Sequence, residues 1–452
     1  MIERCTVSGE TVSAIKLGSR QPLKVSGNTP PASVPLAFFE AAFVGLIGCG
    51  IALAVAHNQG TADPTSDVTV AAAHLGMLAT LSMGILGAIH QFTPVVTQRP
   101  LRSITLARAT FVAWLLAAWF LPLGIGFGQE AIVEAGGFLA SAAIVMLIFN
   151  LWSALGAKGK GAPVIGLRFA VIGFALTACF GVVYVFDRQG NWFNLSGHVV
   201  LAHASIGLFA WLGLTYVSVA ERLYPMFFLA HVPGKRHSGL VAVSAIPLGV
   251  VLISPGLLFK VSILAWIGGV VIALGLGAHL YSLAMHLTHR KRKVDLYFLF
   301  VITASISLIA GMGLALASAL VINGNHRLGV MLAAASVTAF GGWILEAFVG
   351  HIHKVIPFVV WSMFRSKGVE KNIAGKQLMF GDLYNHSIAA TVYGLVTAGV
   401  ASVCYGFASS GAQFLLVGGL LLSISGALLL VNLSINSIQL LRLNATRSRR
   451  PI

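Results

Sequence analysis

The sequence predicts an all-α membrane protein with twelve transmembrane helices, and three observations support this fold class. Hydrophobic residues make up 57% of the 452 residues and charged residues only 9%, whereas about 25% of the residues in an ordinary soluble domain are charged. Apolar stretches recur along the whole chain, and each reaches the roughly 20 residues that a helix needs to cross a bilayer. Basic residues gather in every second connection between these stretches.

The apolar stretches predict spans at 36–56, 69–95, 104–127, 131–156, 163–186, 196–224, 239–259, 261–285, 295–321, 328–350, 384–405 and 411–440. Residues 1–34 are expected to form a polar cytoplasmic tail, because they contain no apolar core of a signal peptide. Residues 35–441 then form the membrane domain, and residues 442–452 form a basic cytoplasmic tail.

The Lys and Arg residues predict the orientation of the spans. All but three of the 29 (Arg188, Lys260 and Arg327) belong to one side of the membrane if consecutive spans alternate in direction. Because basic connections stay in the cytoplasm, we expect both termini to be cytoplasmic and the protein to lie in the plasma membrane. We attribute the formal net charge of +16 to the basic residues that set this orientation, and we expect these residues to attract anionic lipids. Nucleic-acid binding is not expected.

Helices 2, 6 and 10 end alike, in GAIHQFTPVV, SVAERLYPMF and GHIHKVIPFV. Each ending contains a proline, and the residues four positions earlier are His90, Glu221 and His353. A pattern that recurs every fourth helix predicts three pseudo-symmetric arcs of four helices. A proline that simply ends each helix at the membrane interface would give the same pattern.

Histidines inside the apolar spans are the candidate cofactor ligands, since ionisable residues are costly in a membrane and tend to be functional. His74 and His203 predict an outer site on helices 2 and 6. His90 and His353 predict an inner site near the cytoplasmic boundary. His351 and His353 point about 200° apart on a helix, so they would face two cofactors and not share one metal. Each histidine could instead be a hydrogen-bonded interior residue.

Two carboxylates also lie within the spans. Glu40 and Glu346 are candidates for a proton relay or for hydrogen-bond partners of a ligand histidine, and the alternative is a hydrogen bond between helices. Lys354 is expected to extend to the lipid headgroups, or to neutralise a carboxylate of a bound cofactor. His286 adjoins the basic run 290–293 and is expected to be solvated, whereas the role of His279 stays open.

The twelve helices, the three arcs and the histidines on helices 2, 6 and 10 resemble subunit I of the heme-copper oxidases, a family that includes nitric oxide reductases. The resemblance in topology covers nearly the whole chain, and the resemblance in motifs covers short pieces. It implies that His74 and His353 bind a low-spin heme and that His351 binds a high-spin heme. His198, in SGHVV, takes the copper-ligand position of helix 6; with His203 it forms the candidate copper pair, although the two differ by about 140° around the helix.

The sequence departs from that family at the copper site. Helix 7, GLVAVSAIPLGVVLISPGLLF, has no adjacent histidine pair, and Ala202 stands where the family has a tyrosine. Copper binding is therefore doubtful. The four cysteines form no CxxC pair, and the absence of CxxCH favours a b-type heme over a c-type heme.

The sequence thus predicts a heme-binding membrane protein that handles electrons, O2 or NO without a standard copper centre, as an oxidoreductase of a respiratory chain would. Electrons would come from a partner protein or from quinol. The alternative is a twelve-helix proton-coupled transporter, or a gas or metal sensor, that uses the same intramembrane histidines and glutamates.

Overall fold

The computed structural model describes residues 30–156, 161–192, 197–233, 237–372 and 375–435. These residues form helices and no β-strand, and one isolated bridge joins Lys371 to Gln377. A helix satisfies its backbone hydrogen bonds within one segment, which is what a bilayer interior requires. Residues 1–29 of the predicted N-terminal tail, the end of the last predicted span and the whole predicted C-terminal tail lie outside the described residues.

In this part of the chain, twelve helices are long and apolar enough to cross a membrane, which confirms the predicted fold class and identifies a multi-pass membrane protein. They are α1 (Ser33–Gln59), α2 (Asp67–Thr97), α3 (Ile104–Gly126), α4 (Glu130–Leu155), α5 (Ala162–Asp187), α6 (His198–Phe228), α7 (Ser238–Leu258), α8 (Ser262–Thr288), α9 (Leu296–Val321), α10 (His326–Ser366), α11 (His386–Ser409) and α12 (Ala412–Ser434).

The two ends of the bundle differ in their basic residues. Consecutive helices run in opposite directions, so alternate connections lie at the same end. The connections that follow the even-numbered helices lie at one end and include Arg99, Arg102 and the run 290–293. This end is called the basic end below, and the other end is called the far end. Polar caps begin helices at both ends: Ser66 and Asn325 cap α2 and α10 at the far end, and Ser103 and Asn385 cap α3 and α11 at the basic end.

Helices α2, α6 and α10 pack against one another at the centre of the bundle. In the most apolar 18-residue window of each helix, the share of buried residues is 67% for α2, 61% for α6 and 50% for α10. The same share is 28–39% for every other helix except α1. The indole of Trp211 on α6 donates to the hydroxyl of Ser82 on α2, at 2.9 Å. Trp343 on α10 packs against Tyr216 on α6, with ring centres 5.5 Å apart.

The three prolines of the repeated ending lie inside helices and do not end them. The predicted end of helix 10 at residue 350 is therefore wrong, because α10 continues through Pro357 to Ser366. A proline removes the hydrogen bond to the carbonyl four residues earlier, and in α10 the packing of a buried segment on both sides of Pro357 keeps the helix continuous.

The repeat also extends to the local helix geometry. Both α2 and α6 contain a π-helical segment of eight residues, Leu75–Ser82 and Ile206–Gly213. Each segment begins 19 residues before the proline of its helix. This equal register supports an internal repeat between α2 and α6, and π-helical turns are frequent at functional sites.

Close backbone contact at Gly45 joins α1 to α2, and this contact gives the first testable prediction. A Cβ atom at Gly45 would overlap the backbone carbonyl of Ala79, whereas a Cβ atom at Gly277 on α8 would meet no atom within 4 Å. We expect Gly45→Ala to destabilise the fold by about 1–3 kcal/mol through overpacking. The control Gly277→Ala should instead add about 0.5–1 kcal/mol of stability.

Thermal unfolding of the purified protein in detergent measures both variants. Equal melting temperatures for Gly45→Ala and Gly277→Ala would contradict the close packing of α1 on α2.

Candidate functional site

Two imidazoles on the central helices α2 and α6 form the candidate site. His74 lies about two turns into α2 and His203 about two turns into α6, both counted from the far end. The two rings are close enough to interact electrostatically. These are the two residues from which the sequence predicted an outer site, and a site formed by both of them stays a prediction. We refer to them as the outer imidazole pair.

The ring of His74 is oriented by its own helix. Its Nδ1 lies 2.8 Å from the carbonyl oxygen of Val70, and because a carbonyl only accepts, this nitrogen carries the proton of the neutral ring. The lone pair of His74 is then on Nε2. A hydrogen bond from one ring nitrogen to a backbone carbonyl is the arrangement that orients most histidine ligands of metals.

His203 offers an unpaired nitrogen in a largely apolar environment. Its Nδ1 is buried without a hydrogen-bond partner, and its ring packs edge-on against Tyr184 of α5 with ring centres 5.4 Å apart. The hydroxyl of Tyr184 donates to the carbonyl of Val199, at 2.7 Å, so it is already used within the protein. An unpaired buried nitrogen costs about 1–3 kcal/mol, and coordination of a ligand would remove that cost.

The space beside the outer imidazole pair is not fully closed. His74 and His203 keep part of their accessible surface although protein surrounds them. The residues of α5 that face α6 at this depth, Thr177, Gly181 and Tyr184, are also only partly buried. This partly accessible strip of surface between α5 and α6, at the far end of the bundle, is called the crevice below.

Both histidines stand just before the π-helical segments of their helices. The segment of α2 begins at Leu75, directly after His74, and the segment of α6 begins at Ile206, three residues after His203. A π-helical turn is wider than an α-helical turn, so it shifts the register of the preceding residues relative to the rest of the helix. The sequence pattern of period 3.6 gave no sign of this shift.

The sequence made His198 and His203 the candidate copper pair. Among the described residues, no three His, Cys, Asp or Glu side chains are grouped as a metal-binding set. Zinc and copper sites usually have three or four protein ligands. The outer imidazole pair by itself offers two nitrogen donors.

The predicted inner site is divided between two environments. His90 is fully buried and stacks on Phe38 of α1, with ring centres 5.2 Å apart. His353 stacks on Phe300 of α9, at 5.8 Å, and packs edge-on against Tyr384. Each donates Nδ1–H to the carbonyl four residues earlier and leaves Nε2 buried without a partner.

His90 and His353 thus resemble each other in orientation, as the repeat predicts, but they face different helices. His74 lies 16 residues before His90 on α2, about 24 Å along the axis, and therefore in a different layer from His353. The pairing of His74 with His353 that the family resemblance implies is not formed.

His351 lies on the opposite face of α10 from His353 and belongs to a second buried cluster. Its Nε2 is 3.1 Å from the hydroxyl of Tyr297 on α9. Tyr216 and Phe227 of α6 pack against the same ring. The helix therefore separates the two imidazoles of the HIH motif, in agreement with their angle of about 200°.

This second cluster, called the inner tyrosine–histidine cluster, joins α6, α8, α9 and α10 near the basic end. Its members are Tyr216, Tyr224, His279, His286, Tyr297 and His351. The hydroxyls of Tyr216 and Tyr224 are 2.7 Å apart. The sequence did not predict this cluster.

The expectation that His286 is solvated is wrong. His286 is buried, and its Nδ1 lies 2.7 Å from the carbonyl oxygen of Ser282. The spacing of seven residues between His279 and His286, which places both on one face of α8, was the available signal.

The charged residues within the spans have local partners. Glu346 is buried and accepts a hydrogen bond from Ser307 of α9, at 2.7 Å. Glu40 is partly buried on α1, close to Ser434 of α12. The contact of Glu346 is a hydrogen bond between helices, which was the alternative to a proton relay.

Lys354 was expected to extend to the lipid headgroups, but in the structure it binds a partner within the protein. It forms an ion pair with Asp295, the residue before α9, and its ammonium group lies 5.9 Å from the ring centre of Tyr297. The expectation was wrong because α10 continues beyond Lys354 and keeps this side chain against the start of α9.

No protein-family model matches the chain, and no curated protein sequence matches it significantly. The geometry of the outer imidazole pair and of the inner tyrosine–histidine cluster is therefore the evidence that bears on function.

The hydrogen bond between Tyr297 and His351 gives the second prediction. We expect Tyr297→Phe to leave Nε2 of His351 buried without a partner, and to lower the free energy of unfolding by about 1–3 kcal/mol. Tyr281→Phe on α8 is a matched control, because Tyr281 is 58% exposed, and it should leave the stability unchanged. Thermal unfolding in detergent measures both, and a Tyr297→Phe protein as stable as the control would contradict the contact.

Proposed function

We propose that this chain is a heme-binding membrane protein in which the imidazoles of His74 and His203 would hold the iron. In this proposal it handles electrons, O2 or NO, like the heme-copper oxidase subunit that its sequence resembles, but without a standard copper centre. The observation that carries the proposal is the outer imidazole pair, in which His74 and His203 of two central helices interact electrostatically and each keeps a ring nitrogen available.

The number of donors favours heme over a bare metal ion. A zinc ion takes four ligands, whereas a porphyrin supplies the four equatorial nitrogens itself and needs at most two from the protein. The outer imidazole pair supplies two. The sequence contains no CxxCH, so the heme would be held by coordination and packing, as a b-type heme is. Heme iron supplies reversible one-electron chemistry when it is bound.

The surrounding residues have definite roles in this proposal. The carbonyl of Val70 fixes the ring of His74 and increases the basicity of its Nε2. The hydroxyl of Tyr184 is committed to Val199, so the ring face of Tyr184 lines the crevice beside His203. Phe174 and Trp211, whose stacked rings are 3.9 Å apart, close the interior below the crevice and limit the entry of water.

The distribution of basic residues supports the proposed orientation. The basic end would face the cytoplasm, with the crevice on the opposite side of the plasma membrane. Its electrons would come from quinol in the bilayer or from a partner protein.

Replacement of the two histidines is the third prediction. The protein purified after expression with sufficient heme should show a Soret band and reduced α and β bands. His74→Gln and His203→Gln should each lower the heme content on the order of tenfold or more, since even groups that only support a metal ligand contribute about 10–100-fold to metal affinity. His326→Gln, at an exposed position, is the matched control and should keep the heme.

Absorption spectroscopy and the ratio of heme to protein measure these variants, with gel filtration as the test of folding. A colourless wild-type protein would reject the proposed function. Full heme in His74→Gln and His203→Gln, together with its loss in His90→Gln or His353→Gln, would reject the choice of the outer pair.

The inner tyrosine–histidine cluster favours a second candidate, a proton-coupled transporter. It places six ionisable side chains in a buried chain near the basic end, and intramembrane groups of this kind occur in proton relays. Proton movement into liposomes that contain the colourless protein, and its loss in Tyr297→Phe, would support transport. A heme-containing protein that moves no protons would exclude it.

A further inference from the structure

An apolar cavity of about 120 Å³ lies between α2 and α10, in the half of the bundle nearer the far end. Helices α1, α11 and α12 complete its wall. The lining residues that matter for the argument are Cys49, Met77, Thr80, Thr338, Gly341 and Val400. None of the histidines discussed above lines this cavity, so it is separate from the candidate heme site.

The internal repeat explains why the cavity exists. The residue 14 positions before the repeated proline is Trp211 in α6 and Trp343 in α10. Trp211 fills the contact of α6 with α2, and Trp343 fills the contact of α10 with α6. The equivalent residue of α2 is Thr80, which faces the contact of α2 with α10. The third of three related contacts therefore lacks its indole, and the cavity lies there.

Three polar side chains of the wall direct their hydrogens into the protein, whereas the hydroxyl of Thr69 accepts from Ser66. Thr80, Thr338 and Cys49 each donate to a backbone carbonyl, at 3.2, 2.9 and 3.4 Å. A buried water typically makes about 3 hydrogen bonds, and this wall does not supply them. The cavity is therefore suited to an apolar occupant.

We infer that this cavity is a binding site for a small uncharged apolar molecule, between a diatomic gas and a single aromatic ring in size. A comparable apolar cavity of about 150 Å³, engineered in another protein, stays dry and binds benzene or xenon. The inference goes beyond the proposed function and does not depend on the presence of iron.

Xenon is the probe for the fourth prediction. Crystals of the full chain under xenon pressure should show an anomalous peak between Thr80 and Gly341. Thr80→Leu fills the cavity from α2 and should abolish the peak. Thr391→Leu adds the same bulk at an exposed position of α11 and should leave the peak unchanged.

A second variant keeps the test valid if Thr80→Leu does not fold. A Cβ atom at Gly341 would lie 3.2 Å from the terminal methyl of Met77, a flexible group that can move into the cavity. Gly341→Ala should therefore reduce the xenon occupancy. The inference is overturned if wild-type crystals hold xenon only at lipid-facing surfaces, if an acyl chain fills the cavity and xenon does not displace it, or if both variants bind xenon like the wild type.

Discussion

The packing of α2, α6 and α10 against one another is the constraint on which the rest of the structure depends. A membrane helix has no hydrophobic drive to leave the lipid, so its association relies on close van der Waals contact and hydrogen bonds. Here an indole donates to a hydroxyl between α6 and α2, and a second indole lies between α10 and α6. Every histidine proposed as a ligand projects from one of these three helices, and the outer helices supply the walls against which the rings pack.

The equivalence of the three helices is incomplete, and each departure has a consequence. Two of them carry a π-helical segment in the same register, whereas α10 is α-helical throughout. The same two supply the outer imidazole pair. The tryptophan that α6 and α10 share is replaced in α2 by Thr80, beside which the apolar cavity lies. The three central helices thus border three different interiors: the outer imidazole pair, the inner tyrosine–histidine cluster and the apolar cavity.

The number and order of the helices could be predicted from the sequence because a bilayer requires an apolar stretch of fixed length for each span. The opposite directions of His351 and His353 followed from helical geometry alone. The spacing of His279 and His286 indicates one shared face of α8, but the partners of that face in the inner tyrosine–histidine cluster could not be predicted, since no single-sequence periodicity specifies which helices are lateral neighbours. The pairing of Lys354 with Asp295 was missed for a related reason, because it depends on the continuation of α10 through Pro357.

The central claim is that two imidazoles from α2 and α6 coordinate one iron. Electron paramagnetic resonance of the oxidised protein tests it most directly, since the signal of ferric heme reports its axial ligands. The account predicts a low-spin ferric signal typical of two imidazole ligands, and a high-spin signal from the small amount of heme that remains when either His74 or His203 is replaced. A high-spin signal in the wild-type protein, or a low-spin signal that survives both replacements, would contradict it.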